Sequence, residues 1–267
     1  TSHLWGANST SYHSTMKAVG FTAAYCTDAL DLTIGENLTK PYKLLDVACG
    51  YGALTIQAAQ RVSKSGGSIV GVDFAPGMLE QLKRESQGLT NLTGECMNGE
   101  DLKIDDNTFD YCYSAFGLII FEDRVKGLSE LHRVVKPNGE IAITTWPYDC
   151  ELFTLMKRSF RRVVDYDIPD EAFQRITLGD GEFLREQFKK AGFTKPLKVI
   201  TKIHNMDLPV NDMMNFFVGH PLIMMLSTYL PEDKHDQFHP AIRQELNQMY
   251  PDGHMCLPVR CAIAIGE

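Results

Sequence analysis

The chain is 267 residues long and 44% hydrophobic, with 26 Lys and Arg against 34 Asp and Glu and a formal net charge of −8. That length holds one sizeable α/β domain with a core-bearing insertion rather than two independent domains. The negative balance disfavours an obligate nucleic-acid or membrane-surface protein, whose binding face needs clustered Lys and Arg, and leaves a small molecule as the expected partner.

In chain order, residues 5–25 read as helix-like and carry Tyr12 and His13. Residues 42–47 read as a buried strand that runs into the glycine turn Asp46-Val47-Ala48-Cys49-Gly50-Tyr51-Gly52 and then a helix over 53–62. The next strand, 68–73, is closed by the carboxylate of Asp73. Gly50 and Gly52 remove Cβ atoms that would block a ligand lying across the carboxyl end of a parallel sheet. Asp73 stands twenty-one positions after Gly52, where an acidic side chain in such units accepts hydrogen bonds from ribose hydroxyls. The dinucleotide fingerprint G-x-G-x-x-G fails at Thr55, and Asp46 would repel a pyrophosphate. The same carboxylate suits S-adenosylmethionine, which carries an ammonium and a sulfonium and no phosphate.

Further strands are expected over 92–97, 110–115 and 139–146, with helices over 76–86 and 123–135. In the last helix Val125, Leu128, Leu131 and Val135 share one face. Strands alternating with helical periods imply a parallel, doubly wound sheet. Beyond Trp146-Pro147, residues 150–166 read as helical, 182–191 as a helix stopped by Gly192, and 198–203 as a sixth strand. Residues 207–252 turn helical and methionine-rich before a last strand over 257–265. Seven of the eleven methionines (206, 213, 214, 224, 225, 249, 255) lie in or at the edge of that insertion. They read either as a lid over a hydrophobic acceptor or as packing of the insertion onto the sheet.

Taken in register, these stretches resemble the class I S-adenosylmethionine-dependent methyltransferases, the ubiquinone/menaquinone branch in particular, over roughly 42–147. The resemblance implies an enzyme with a Rossmann-like α/β fold. Its seven-stranded, mostly parallel sheet would have helices on both faces, an N-terminal helical lid and a helical insertion before the last strand. It divides the chain into a lid (1–40), a cofactor-binding core (41–147), the rest of the sheet and helices (148–205), a substrate-lid insertion (206–254) and a final strand (255–267). S-adenosylmethionine is the implied cofactor and S-adenosylhomocysteine the product. The cofactor contacts it implies are Tyr12 in the lid, Asp46, Ala48, Gly50 and Gly52 in the first turn, Asp73, Phe74 and Met78 after the second strand, and Ser114 and Ala115 at the end of the fourth. The loop Asn98-Gly99-Glu100-Asp101-Leu102 stands where the family has Asp-Ala-x-x-Leu around the adenine. With Asn and Gly at the first two places, Glu100 or Asp101 is left to meet the adenine amino group.

Phe116, Trp146, Phe217 and Met224 are the expected acceptor contacts. His13 and His220 are the two candidates for a general base. Ser114-Ala115-Phe116-Gly117 replaces the Asp/Asn-Pro-Pro-Tyr/Phe tetrad of enzymes that grip amino groups on bases or glutamine, which argues against those acceptors. His235 and His239 lack the Glu of H-E-x-x-H and Pro240 follows them, so no metal site is expected. Lys157, Arg158, Arg161 and Arg162 form a local basic face, read as solvated or as a contact for an anionic group on the substrate. The layout after the fifth strand is loosely similar to fungal enzymes that S-methylate gliotoxin-type thiols. A thiol acceptor is therefore the first expectation, and a phenol or amine the second. A non-catalytic S-adenosylmethionine-binding partner subunit and an NAD-dependent oxidoreductase are the rival readings. Seven cysteines without a CxxC pair read as buried free thiols of a reducing compartment. With no signal-peptide pattern and no apolar run long enough for a bilayer, cytoplasm is the expected location. Nothing in the sequence indicates the oligomeric state.

Overall fold

The chain is organised around one strand, β1 (Lys43–Val47), whose side chains are buried after the first. In the computed structural model, which describes residues 20–36, 38–174, 176–178, 181–218 and 220–267, β1 is flanked by parallel neighbours on both sides. Leu44 pairs with Ile69 of β2 (Ser68–Asp73) and with Tyr111 of β4 (Phe109–Ala115). With β3 (Leu92–Cys96), β5 (Val135–Thr145), β6 (Lys198–Pro209) and β7 (His254–Gly266), the order is β3-β2-β1-β4-β5-β7-β6, and β7 is antiparallel to both its neighbours. This is the seven-stranded, mostly parallel sheet that the sequence led us to expect. The chain winds outward from β1 to β3 and then returns to place β4 on β1's other side. Connections therefore leave β1 and β4 in opposite directions and open a crevice at their carboxyl ends.

The helices are α1 (Phe21–Thr33), α2 (Thr55–Ser63), α3 (Pro76–Glu85), α4 (Arg124–Val134), α5 (Glu151–Val163), α6 (Asp170–Gln174), α7 (Gly181–Lys190), α8 (Val210–Phe217), α9 (Pro221–Ser227) and α10 (Phe238–Met249). Local chemistry fixes their ends. Pro76 opens α3, and Asp123 caps α4 by accepting the Lys126 N–H at 2.9 Å. None of the helices among the described residues is long and apolar enough to cross a membrane.

The last two strands run further than the sequence suggested. β6 and β7 pair from Lys198 with Ile265 to Pro209 with His254, whereas β5 reaches β7 only over 262–266. Residues 202–209 and 254–261 thus form a two-stranded ribbon beyond the sheet, and it carries the segment 210–253. Met206, Leu208, Met255, Leu257 and Val259 are buried at alternate positions along it, the period-two signature of a one-sided strand. The insertion's methionines mostly pack it in place: Met206, Met213, Met214 and Met255 are buried in the core. The basic face on α5 is compensated by acids. Arg162 meets Glu245 of α10 at 2.7 Å, Lys157 meets Asp170 at 3.6 Å, and Arg161 pairs with Asp167. All seven cysteines are free thiols, but Cys96 and Cys256 are exposed rather than buried, each on an outward position of an edge-facing strand or ribbon.

Candidate active site

Two adjoining cavities open at the carboxyl ends of β1, β2 and β4. The larger, about 1270 Å³ out to its open mouth, runs from the turn after β1 to the wall made by α5, α8 and α9. The smaller lies over the loop 97–100 and the segment 120–122. Ala48, Asp73, Phe74 and Ile120 border both, so Asp73 sits at their junction.

The backbone here is unusual. Ala48 has φ +59° and Phe116 has φ +55°, each in the left-handed region that side chains rarely adopt, and each directly follows the end of a strand. Gly117 allows the two turns to meet. A Cβ placed on it would lie 2.4 Å from Ala48 Cβ, 2.7 Å from Ser114 Oγ and 3.1 Å from the Val47 carbonyl oxygen. Gly117→Ala is therefore expected to destabilise the protein by about 1 to 3 kcal/mol through overpacking, seen as a melting temperature several degrees lower. An unshifted melt would mean that the two turns separate freely.

The two glycines of the first turn have different functions. Gly50 has φ +54°, and a Cβ there would meet nothing within 4 Å, so the turn presents open space to the larger cavity. Gly52 has φ +98°, and its Cβ would lie 2.4 Å from Leu82 Cδ1 of α3. Gly52 is required for packing under the turn and lines neither cavity.

Asp46 is 1% exposed. The hydroxyl of Thr55, at the start of α2, donates to its Oδ2 at 2.7 Å, while Oδ1 has no partner among the described residues. Burial raises its pKa to about 7, against the pull of the Thr55 bond, and the negative charge of Asp73 adds to the rise. Thr55 therefore breaks the dinucleotide fingerprint for a positive reason: it is the partner that lets a carboxylate be buried there. Asp73 accepts the Gly50 N–H on Oδ2 and the Ala75 N–H on Oδ1, both at 2.9 Å. Burial raises its pKa as well, and those backbone donors hold it back. Cys49 also lines the larger cavity. Burial and the two carboxylates push its thiol well above the ordinary range, which leaves it unreactive.

Thr22, in the first turn of α1, is a site residue that sequence reading missed. It is 8% exposed, lines the larger cavity, and its Oγ1 has no partner in hydrogen-bond geometry among the described residues. Only its position after Gly20, at a helix start without a side-chain cap, hinted at it. The cavity wall thus holds two unsatisfied buried atoms of opposite character, an acceptor on Asp46 and a hydroxyl on Thr22. Unsatisfied buried polar atoms are costly, and a ligand with both an ammonium and a carboxylate would relieve the two together. Among the described residues that line the two cavities there is no Lys or Arg, while Asp46, Asp73, Glu100 and Glu122 are present. The field favours a cation.

The other candidate residues fall into place around these. Phe74, Met78 and Ala115 line the larger cavity, and Asn98, Gly99 and Glu100 the smaller. Gly99 is pinned, since a Cβ there would lie 2.4 Å from Phe121 Cζ and 2.6 Å from Val47 Cγ1. Glu100 accepts the Glu122 N–H at 2.9 Å, which ties that loop to the segment after β4. Asp101, Leu102 and Ser114 line neither cavity: Asp101 pairs with Lys103 at 2.7 Å, and Leu102 and Ser114 are buried. On the far side, Phe116 stacks on Trp146 with ring centroids 4.2 Å apart, and Leu152, Phe153, Met156, Ile176, Phe216, Phe217, Ile223 and Leu226 complete an apolar wall. His220 is the one imidazole among the described residues of that wall, and burial lowers its pKa to about 4, so it stays neutral near pH 7. Met224 is 49% exposed and lies outside the lining. Tyr12 and His13 lie outside the described residues.

Comparison with known proteins agrees with this arrangement. Residues 44–139 match a family described as a methyltransferase domain. A demethylmenaquinone methyltransferase of Staphylococcus epidermidis is 41% identical over 108 residues, covering 39% of this chain and 43% of that protein. A ubiquinone/menaquinone biosynthesis C-methyltransferase of a Geobacter species is 39% identical over 104 residues, 38% of this chain and 44% of that protein. The chain thus spans less than half the length of these relatives. The YcgJ protein of Bacillus subtilis shares the fold, with a TM-score of 0.58 at 16% identity over 90% of this chain and 97% of that one.

Proposed function

Because the chain carries a class I S-adenosylmethionine-dependent methyltransferase domain, we propose that it transfers a methyl group to a small, neutral, largely apolar acceptor held in the larger cavity. The observation that carries this reading is the division of that cavity: buried carboxylates and an orphaned hydroxyl at one end, aromatic and aliphatic side chains at the other. Bound there, the cofactor supplies an electrophilic methyl on a sulfonium sulfur, and displacement of that sulfur yields S-adenosylhomocysteine. Asp73 accepts the ribose hydroxyls, Asp46 holds the ammonium, Thr22 and the start of α1 take the carboxylate, and the 98–100 loop frames the adenine. Phe116, Trp146, Phe217 and the insertion 210–253 exclude water and align the acceptor, which is where much of the acceleration of an in-line displacement comes from.

Of the possible acceptor atoms, a thiol sulfur asks least of this wall. A thiol loses its proton near pH 8.5 and a phenol nearer 10, and neutral His220 is a weak base. A ring carbon of a quinol is the second reading, favoured by the likeness of the domain to enzymes of quinone biosynthesis.

Calorimetry of the full chain should detect S-adenosylhomocysteine and not NAD. With S-adenosylmethionine present, an apolar thiol should release S-adenosylhomocysteine faster than a phenol, an amine or a reduced naphthoquinone. Release with the quinol alone replaces sulfur by carbon. Binding without release from any acceptor points to a non-catalytic subunit, and absence of binding ends the methyltransferase reading. If His220 takes the acceptor's proton, His220→Asn should lower turnover about 100-fold or more with cofactor affinity unchanged.

A further inference from the structure

Tyr25 is fully buried on α1 and is not among the residues that line the larger cavity, yet it touches three of the parts that build it. Thr22 and Cys26, on the same helix, face the cavity at its cofactor end. The Tyr25 hydroxyl donates to the Val259 carbonyl on β7 and receives the His204 N–H from β6 at 3.3 Å. One turn along α1, Asp28 meets His204 Nε2 at 2.7 Å and Lys202 Nζ at 3.2 Å. These contacts fasten α1 to the ribbon that carries the insertion. The Tyr25 ring stands edge-on to Phe116, at 5.9 Å and 70°, and to Trp146, at 6.1 Å and 86°. Phe116 and Trp146 are the stacked pair of the acceptor wall, and Phe116 is held at φ +55°. A conformation of that kind persists only where the surroundings over-determine it.

We propose that Tyr25 is a positioning residue that holds the Phe116–Trp146 wall in register with both the cofactor-side helix and the ribbon bearing the insertion. The inference rests on the methyltransferase reading for its purpose, because it makes Phe116 and Trp146 the surface against which the acceptor lies. A phenylalanine would fill the same space, so the hydroxyl is what distinguishes the role. It is used as donor and as acceptor in a buried setting, and its removal leaves the Val259 carbonyl and the His204 N–H without their partner.

The chain has two tryptophans, Trp5 and Trp146, so Trp5→Phe leaves Trp146 as the sole indole reporter of the acceptor wall. In that background Tyr25→Phe should shift Trp146 emission to the red and raise its quenching by acrylamide. The KM for the acceptor should rise roughly threefold to tenfold, the size expected from one buried hydrogen bond, with a smaller change in kcat. S-adenosylhomocysteine affinity by calorimetry should stay within about twofold, since Tyr25 is not part of the lining. Trp146 emission and quenching identical to the parent, in a folded Tyr25→Phe protein, would overturn the assignment. If Tyr25→Phe does not fold, Asp28→Asn loosens the same fastening from the outside and should move Trp146 in the same direction by less, and no movement there also overturns it. A parent protein that binds no S-adenosylhomocysteine sinks the methyltransferase reading instead, and the Trp146 comparison still decides what Tyr25 does.

Discussion

Asp73→Ala is expected to weaken S-adenosylhomocysteine binding by about 1.5 to 3 kcal/mol, or roughly 10- to 150-fold, because two hydroxyl hydrogen bonds to a charged acceptor are lost. The position of the carboxylate supports that size. It is 5% exposed, at the end of β2, and borders both cavities, where a ribose would join an adenine on one side to a methionine chain on the other. Its oxygens already receive the Gly50 and Ala75 N–H groups, so they are fixed in place before any ligand arrives. The same bonds complicate the experiment, since alanine also strips two backbone donors of their acceptor and loosens the turn. Asp73→Asn separates the contributions: it keeps the shape and one carbonyl oxygen, and should lose less. A 2′-deoxy analogue of the ligand completes the cycle. Wild type and Asp73→Ala should differ less for it than for the parent compound, and the difference measures the hydroxyl contact itself. Equal affinity of wild type and Asp73→Ala for the parent ligand removes Asp73 from the site.

The strands were legible because each buried one is a short apolar run that ends at a residue with a specific backbone role, as Gly50 does after β1, Asp73 at the end of β2 and Phe116-Gly117 after β4. The ribbon was not. Residues 204–209 read His-Asn-Met-Asp-Leu-Pro, an alternation that puts Met206 and Leu208 inward, but methionine beside a long helical stretch suggested that the insertion had already begun. The contents of the apolar run after Phe216 were visible and its facing was not. Periodicity could not decide, across the break at Pro221, that Ile223 and Leu226 turn to the cavity while Met224 turns to solvent. Thr55 and Thr22 are ordinary residues by type, and their importance lies in one partner supplied and one partner missing, which only three-dimensional placement reveals. Gly52 looked like part of a ligand floor because glycine spacing cannot tell open space from the Leu82 side chain.

The second large effect concerns protons. Asp46 in the folded, ligand-free protein has its pKa raised to about 7, whereas an Asp in an unfolded chain titrates near 3.9. Between those values the folded state binds the extra proton. The contribution of Asp46 to stability is therefore full below about pH 4 and falls as pH rises through 7, the opposite of a salt-bridged carboxylate. A cationic ligand reverses the preference, because it needs the ionised form. Below pH 7 binding must then expel a proton, and the affinity for S-adenosylhomocysteine should rise with pH at a slope approaching tenfold per unit, levelling off near 7. The comparison belongs between about pH 5.5 and 7.5, since the ligand's own α-amino group begins to lose its charge above that. Asp73, Cys49 and Cys26 surround the same spot. Asp73 is held ionisable by its backbone donors, and both thiols are pushed far above this window by burial, so Asp46 dominates the response. Calorimetry in two buffers of different ionisation enthalpy should count close to one proton released at pH 6 and few at pH 7.5. In Asp46→Asn the affinity should be weaker at pH 7.5 and flat across the range, and the ligand-free variant should lose less stability than wild type between pH 5 and 8. A wild-type affinity that does not change from pH 5.5 to 7.5 would mean that the buried carboxylate does not face the ligand's cation.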